Sequence, residues 1–488
     1  MEKFTADFES LGKVKCPDWF RDLKFGIWSH WGPQSVPMNG DWYAKGMYIE
    51  GTSHYNYHLA HYGHPSEFGY KDICKLWKAE NFNPDELMAK FYKAGARYFV
   101  GQMSHHDNFF NYDSELNRMN SVKVGPHKDI CQMWKDAAEK YDMPFGLSEH
   151  LSASFSWWHT NKGCDKYGPF AGVPYDGNDP EYADFYHNNK EHYQRVDSLY
   201  IKNGNIPWYT QNEEFHKYWL KAMDEVIAKF KPDMLYTDGA LPFVSHKDEF
   251  DPSGYSYGLE AVANLYNTSI DEHGENRAIY TQKDIRPEVR QVGIYDIERS
   301  QLDYADPLPW QTDTCIGGWY YNAQREYKYP EHVIEMFVDI IAKNGSLLLN
   351  IIQRPDGTID KHAEYILDEL AVWFDICSEA IYYTRPWKVC MEGATRVKTK
   401  GMSEEKAVWS DADYRFVQKE NTVYAYILAP ASSRVAVIKS FNEGEEIKNV
   451  RLLGFGDVEF SHNFGVLTVK LPETLPTKYT NCLAIELK

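Results

Sequence analysis

The chain is 488 residues long, carries 71 acidic against 52 basic side chains for a formal net charge of −19, and is 16% aromatic. That length exceeds what one hydrophobic core organises and points to two or three domains. The charge argues against nucleic acid and anionic membrane surfaces as partners and favours neutral substrates.

The chain opens on Met1-Glu-Lys-Phe-Thr-Ala-Asp7, which has no apolar signal stretch, and no later apolar run reaches spanning length. Eight cysteines are scattered from Cys16 to Cys482 without a CxxC pair. Reduced thiols and a cytoplasmic location are therefore expected, although a leader removed beforehand would leave the same pattern. Lys24-Phe-Gly-Ile-Trp-Ser-His30-Trp-Gly32 reads as a buried strand ending in His30. Residues 33–80 form a long aromatic connection with Asp41-Trp42-Tyr43 and a Tyr/His-dense patch from His54 to His64, and connections of that length are usually functional. Asn83-Pro84 followed by two acids opens a helix that Gly95 closes. Arg97 to Met103 is the next strand and delivers Ser104-His105-His106-Asp107. After a helix over about 130–141, Pro144 to Leu147 is a third strand leading to Ser148-Glu149-His150.

An irregular Gly/Tyr/Asn-rich insertion fills about 160–208. Phe215, Trp219, Met223, Val226 and Phe230 then recur at helical spacing. That helix feeds Lys231-Pro-Asp-Met-Leu-Tyr-Thr-Asp238-Gly239, a short apolar run ending in a carboxylate. At the carboxyl end of a barrel strand such a side chain faces the mouth; the bland alternative is that Asp238 only caps the next turn. Further strands are expected at Ala278–Tyr280, Gly293–Glu298 and Ser346–Ile351, with helices bearing Val333, Phe337 and Ile341 and spanning about 360–376. Strands alternating with helices predict a (β/α)8-like TIM barrel over residues 1–385, irregular in its second half. Beyond Pro386, short alternating runs separated by Gly, Asn and Pro predict an antiparallel β-sandwich over 386–488, assigned a packing role.

The polar groups gathered at strand ends are His30, His105, His106, Glu149, His150, Asp238 and Glu298. Paired carboxylates among histidines in an aromatic cleft suit glycoside hydrolysis, one attacking the anomeric carbon and the other protonating the leaving oxygen. Taken singly, His30 or His106 reads as a structural histidine and Trp42 as a core residue. A metal-dependent hydrolase using His30, His105, His106 and Asp238 is a competing reading, weakened because adjacent strand residues point to opposite faces. No cofactor and no metal are expected.

Several segments together resemble the α-L-fucosidases of glycoside hydrolase family 29. They are Trp19-Phe-Arg-Asp-Leu-Lys-Phe-Gly-Ile with Ser29-His30-Trp31-Gly32, Asp41-Trp42-Tyr43, His105-His106-Asp107 and the Lys231 to Gly239 run. Trp310-Gln-Thr-Asp-Thr-Cys-Ile-Gly-Gly-Trp319-Tyr and Asn344-Gly-Ser-Leu-Leu-Leu-Asn350-Ile complete the set, which covers residues 19 to about 388. The resemblance implies a retaining exo-hydrolase acting on fucosylated glycans. It implies Asp238 as nucleophile, His30, His105 and His106 on the sugar hydroxyls, and Trp42 and Trp319 as pocket walls.

Many relatives carry Trp-Glu where this chain has Trp310-Gln311, so the general acid/base is assigned to Glu298, with Asp313, Glu50 and Glu149 as rivals. The alternative for Glu298 is a plain ion pair with Arg299 or Arg286. Glu149 stands where many relatives have tyrosine and is placed among the substrate contacts, and Arg286 is placed beside the nucleophile, holding it ionised. The Gln311 departure also keeps open a fucose-binding barrel without catalysis. The oligomeric state is not legible.

Overall fold

A computed structural model describes residues 2–199, 207–244, 250–399, 401–402 and 404–488; the end of the long insertion, 200–206, lies outside them. Eight parallel strands close into a barrel: β1 Phe25–Ser29, β2 Tyr98–Ser104, β3 Phe145–Glu149, β4 Met234–Thr237, β5 Ile279–Gln282, β6 Ile294–Glu298, β7 Trp310–Cys315 and β8 Gly345–Asn350. β8 pairs back onto β1 from Phe25↔Leu347 to Trp28↔Asn350.

Alternation along each strand builds two apolar layers. Leu235 of β4 joins the layer under the surrounding helices, whereas Met234 and Tyr236 fill the barrel with Trp28, Tyr98, Val100, Ile279, Ile294 and Leu348. Gly26 makes room inside, since a Cβ there would sit 2.2 Å from the Tyr98 ring. The helices are set by ordinary end signals. Asn83 caps Pro84–Lys93, and Asn212 caps Glu213–Phe230, whose Phe215, Trp219, Met223, Val226 and Phe230 are buried. Among the described residues no helix is long and apolar enough to cross a membrane.

Three departures from the sequence reading matter for the site. Trp310–Cys315 is a full barrel strand although Gln311, Asp313 and Thr314 interrupt its apolar character; all six residues are buried. β3 continues through Glu149 and β5 through Gln282, so the residues at the mouth are His150 and Lys283. The 33–80 connection is helical in part, at Ser53–His61 and Tyr70–Leu76.

The remaining strands are β9 Arg385–Glu392, β10 Tyr414–Lys419, β11 Thr422–Ile427, β12 Val435–Ile438, β13 Ile447–Leu452, β14 Gly456–Asp457, β15 Phe460–Asn463, β16 Val466–Lys470 and β17 Asn481–Leu487. They form a six-stranded sheet, β14-β13-β17-β11-β10-β9, and a three-stranded one, β12-β16-β15. Phe416, Val423 and Ala425 face the second sheet, and Val417, Tyr424 and Tyr426 join the barrel's own core. The sheet therefore lies directly on the barrel helices, where Trp373 Nε1 donates to the Thr480 carbonyl at 2.8 Å.

Candidate active site

β4 ends at Thr237, and the Asp238 amide donates to the Glu149 carbonyl at 3.1 Å, which turns the carboxylate into the mouth. Gly239 follows at φ +135°, a conformation open to glycine, and its carbonyl accepts from the Lys283 amide at 2.7 Å. That bond docks the turn after β5 against the turn after β4. It brings Lys283 Nζ to 3.0 Å from Asp238 Oδ1 and 2.8 Å from Glu298 Oε2. The same ammonium lies 3.5 Å from Asp313 and 3.9 Å from Asp296. Two oxygens sharing one ammonium at those distances lie no more than about 6 Å apart, which bounds the Asp238–Glu298 separation near the retaining value.

Electrostatics follow from this arrangement. Burial acts to raise the Asp238 carboxyl, but Lys283, then His150 and His106, outweigh it and hold it well below the usual range. Burial acts to lower Lys283, and its four carboxylate neighbours instead raise it well above normal. Asp296 and Asp313 are each 1% exposed, and Asp296 Oδ2 and Asp313 Oδ1 have no hydrogen-bond partner. Burial and the charge of Asp296 push Asp313 well up, against the opposing pull of Lys283. Glu298 keeps 22% of its side chain exposed.

Three histidines, His30, His105 and His150, crowd the neighbouring wall with ring nitrogens within 4.8 Å of one another. Burial lowers His30 to about 3 and takes His105 and His150 well down, so all three are neutral. Gln34 Oε1 accepts from the Ala44 amide at 3.3 Å, which orients its Nε2 as donor to His105 Nδ1 at 2.7 Å. His105 therefore carries its proton on Nε2. A metal-ligating histidine has the opposite arrangement, donating its second N–H outward and offering a bare nitrogen to the ion. The set fits hydroxyl recognition better than a metal. His106 Nδ1 donates to the His150 carbonyl at 2.7 Å, and its Nε2 lies 3.5 Å from Asp238 Oδ2.

Aromatic walls flank these groups. Trp42 lies nearly parallel to Trp208 at 6.4 Å, and His106 meets Trp208 edge-on at 5.1 Å. Opposite, Trp319 lies 5.6 Å from His30. Trp42 is carried by the first long connection and Trp208 by the insertion, and the two segments are joined by Tyr48 OH on Asp176 at 2.6 Å. Asp41, beside Trp42, is raised to about 7 by burial and by the charge of Glu298.

The structure brings Asp238, Glu298, His30, His105, His106, Trp42 and Trp319 together, and turns other expected residues away. Glu149 points outward between strands, fully buried, accepting from Thr237 Oγ1 at 2.7 Å and from the Ser152 amide at 3.0 Å. It is therefore no substrate contact, because β3 runs one repeat further than its apolar residues indicate. Arg286 pairs with Asp284 at 2.9 Å, and Lys283 takes the place expected for it beside Asp238. Glu50 is occupied by the Lys166 and Tyr167 amides and by Arg195. Glu298 pairs with neither Arg286 nor Arg299; the latter bonds to Glu404 at 2.7 Å. Gln311 is buried in the barrel interior, donating to Asp296 at 2.8 Å and accepting from Tyr98 OH at 3.2 Å. Its departure from Trp-Glu therefore does not touch the mouth. Lys283, Asp41, Asp296 and Trp208 also line the site and were not singled out as site residues in the sequence, and His150 was gathered with the strand-end groups without a role; the signal available for Lys283 was a polar residue just past an apolar run.

An eight-stranded barrel with paired carboxylates and neutral histidines at its carboxyl-terminal mouth defines a glycoside hydrolase. The alpha-L-fucosidase family profile matches residues 1–379, and the chain belongs to that family. It is 28% identical over 444 residues to rat (Rattus norvegicus) tissue alpha-L-fucosidase, covering 87% of this chain and 79% of that protein. It is 26% identical over 518 residues to human (Homo sapiens) plasma alpha-L-fucosidase, covering 99% and 92%. Among solved structures, Thermotoga maritima alpha-fucosidase in complex with fucose superposes with a TM-score of 0.73 at 23% identity, covering 99% of this chain and all of that one. A Bacteroides thetaiotaomicron family 29 alpha-L-fucosidase trapped as a covalent intermediate superposes with a TM-score of 0.66 at 14% identity, covering 100% and 98%.

Proposed function

We propose that the protein hydrolyses terminal α-L-fucosides of fucosylated glycans with retention of configuration, Asp238 acting as nucleophile and Glu298 as general acid/base. The observation that carries this reading is the Lys283 ammonium, which contacts both carboxylates and keeps them within about 6 Å of each other. Asp238 attacks the anomeric carbon while Glu298 passes its proton to the glycosidic oxygen, and the alcohol leaves. Asp238 has then lost its charge to an ester bond as Glu298 has gained one, so the negative charge moves from one side of Lys283 to the other. Glu298 next takes a proton from water, whose oxygen attacks the same carbon, breaks the ester and restores both carboxyls. Neutral His30, His105 and His150 supply ring donors and acceptors for sugar hydroxyls, and Trp42, Trp208 and Trp319 exclude water from the apolar face.

The test is proton NMR during hydrolysis of p-nitrophenyl α-L-fucoside. The α-anomer of fucose should appear before mutarotation. The β-anomer first would overturn the double displacement, and absence of turnover would favour a fucose-binding barrel. Asp41, raised to about 7 by burial and the charge of Glu298, supports a second reading in which it is the proton donor; the two are separated below.

A further inference from the structure

Arg299 immediately follows Glu298, and its backbone turns left-handed at φ 49° with its amide donating to the Asp313 carbonyl at 2.9 Å. A guanidinium attached one residue from an acid/base is a hazard. Added to Lys283, which already contacts Glu298 at 2.8 Å, a second cation on that carboxyl would favour its ionised form and weaken proton donation. The structure disposes of this cation in an unexpected place. Between β9 and β10 the chain leaves the C-terminal sheets, and Glu404 in that excursion reaches the barrel with its side chain 6% exposed. Glu404 Oε2 accepts from Arg299 Nε at 2.7 Å and from Lys328 Nζ at 3.0 Å, and Oε1 accepts from Thr314 Oγ1. One carboxylate thus neutralises two cations and ties the end of β6 to β7 and to the loop that carries Trp319. Lys398, Thr399 and Lys406, from the same excursion, bond to Glu405, Asp303 and Glu331.

We propose that Glu404 is a positioning residue for the acid/base, holding the Arg299 guanidinium away from Glu298 so that Glu298 can carry a proton. The C-terminal region then completes the catalytic mouth as well as covering the barrel helices. The proposal rests on the reading of Glu298 given above. The other charged and titratable groups facing Glu298 are Lys283 from the turn after β5, Tyr236 from β4 and Asp238 from the turn after it, Asp296 from its own strand, Asp313 from β7 and Asp41 from the first connection. The side-chain partners of Glu404 are Arg299, Lys328 and Thr314, and none of those other groups is among them.

The experiment compares kcat/KM on a fucosyl-galactoside, which has a poor leaving group, with p-nitrophenyl α-L-fucoside, which needs little protonation. Glu404→Gln keeps an acceptor for Thr314 but frees Arg299. It should lose at least about tenfold on the sugar substrate, the effect of one unit in the acid's titration, with the basic limb moving to lower pH. The aryl substrate should change far less. Glu404→Gln/Arg299→Gln should recover most of the loss on the sugar substrate, because the competing cation is gone. Equal losses on both substrates, no loss, or a double variant as poor as the single would overturn the proposal. Glu298→Ala run alongside separates the two readings: if it shows no leaving-group dependence, the acid/base assignment itself falls. If it does and Glu404→Gln does not, only the role of Glu404 falls. Thermal midpoints of all variants separate loss of fold from loss of proton donation.

Discussion

At the scale of single residues, the site is organised around one ammonium. Lys283 lies within 4 Å of Asp238, Glu298, Asp313 and Asp296, and a charge so placed stabilises carboxylate at either Asp238 or Glu298. Lys283→Met should lower kcat/KM by about 10²–10³-fold, the range for removing one preorganised electrostatic group. The sign of the pH effect follows from Asp238, whose carboxyl is held below its usual range by Lys283 and the histidines. Without the ammonium its titration rises, so the acidic limb of kcat/KM should move to higher pH. The proton donor is separated from its rival by leaving group. Glu298→Ala should lose about 10²–10⁴-fold on sugar-leaving substrates and far less on nitrophenyl fucosides, with azide accelerating turnover and giving the α-azide. Asp41→Asn should show that pattern only if Asp41 is the donor; as a sugar contact it should lose activity alike on both substrates.

At the scale of elements, strand length decides which face a side chain takes. β3 carries Glu149 outward, where it bonds to Thr237 of β4 and to the Ser152 amide. It acts as a clip between two strand ends whose next residues, His150 and Asp238, are both in the mouth. Glu149→Ala leaves the Ser152 amide without its acceptor and takes from Thr237 one of its two partners, the other being the Tyr280 hydroxyl, and should cost about 1–3 kcal/mol in chemical denaturation. Any loss of activity should be independent of leaving group. The same logic explains β7. Gln311 faces the barrel interior and is satisfied there by Asp296 and Tyr98, and Asp313 Oδ2 meets Tyr236 and Lys283, so a strand that looks too polar is accommodated.

At the scale of the whole molecule, the barrel and the C-terminal sheets are joined by a buried ion network. Asp339 of helix Pro330–Ala342 bonds to Arg415 of β10 and to Lys343, and all three are 3% exposed or less. Burial acts to raise Asp339, but Arg415 and Lys343 outweigh it and hold the carboxyl below the ordinary aspartate value of 3.8. A depressed folded value stabilises above the unfolded value and is lost as pH falls through the folded one. Arg415→Met should therefore cost up to about 3–5 kcal/mol at neutral pH, because a buried carboxylate loses one of its two cationic partners and keeps only Lys343. That cost should shrink in strong acid, where Asp339 is protonated. Denaturation at pH 7 and below pH 3 measures the difference.

The order of strands and helices was legible because each rests on neighbours in sequence: caps such as Asn83 and Asn212, apolar spacing such as Phe215 to Phe230, and a polar residue closing an apolar run. That local grammar placed Asp238, Glu298, His30, His105 and His106 at strand ends, and the barrel then brought them to one mouth. What failed was also local in origin. Two extra strand residues in β3 took Glu149 into the strand and out of the site, two extra in β5 brought Lys283 to the mouth, and the polar strand β7 gave no periodicity to read. Electrostatic partners were beyond reach altogether. Which cation meets Asp238, and which acid takes Arg299 from Glu298, depends on chain turns that touch only in three dimensions. Glu404 lies 105 residues from the arginine it holds. Spacing along a chain determines the face and end of an element; the distance between charges on different elements, and hence their ionisation, is decided only when those elements pack.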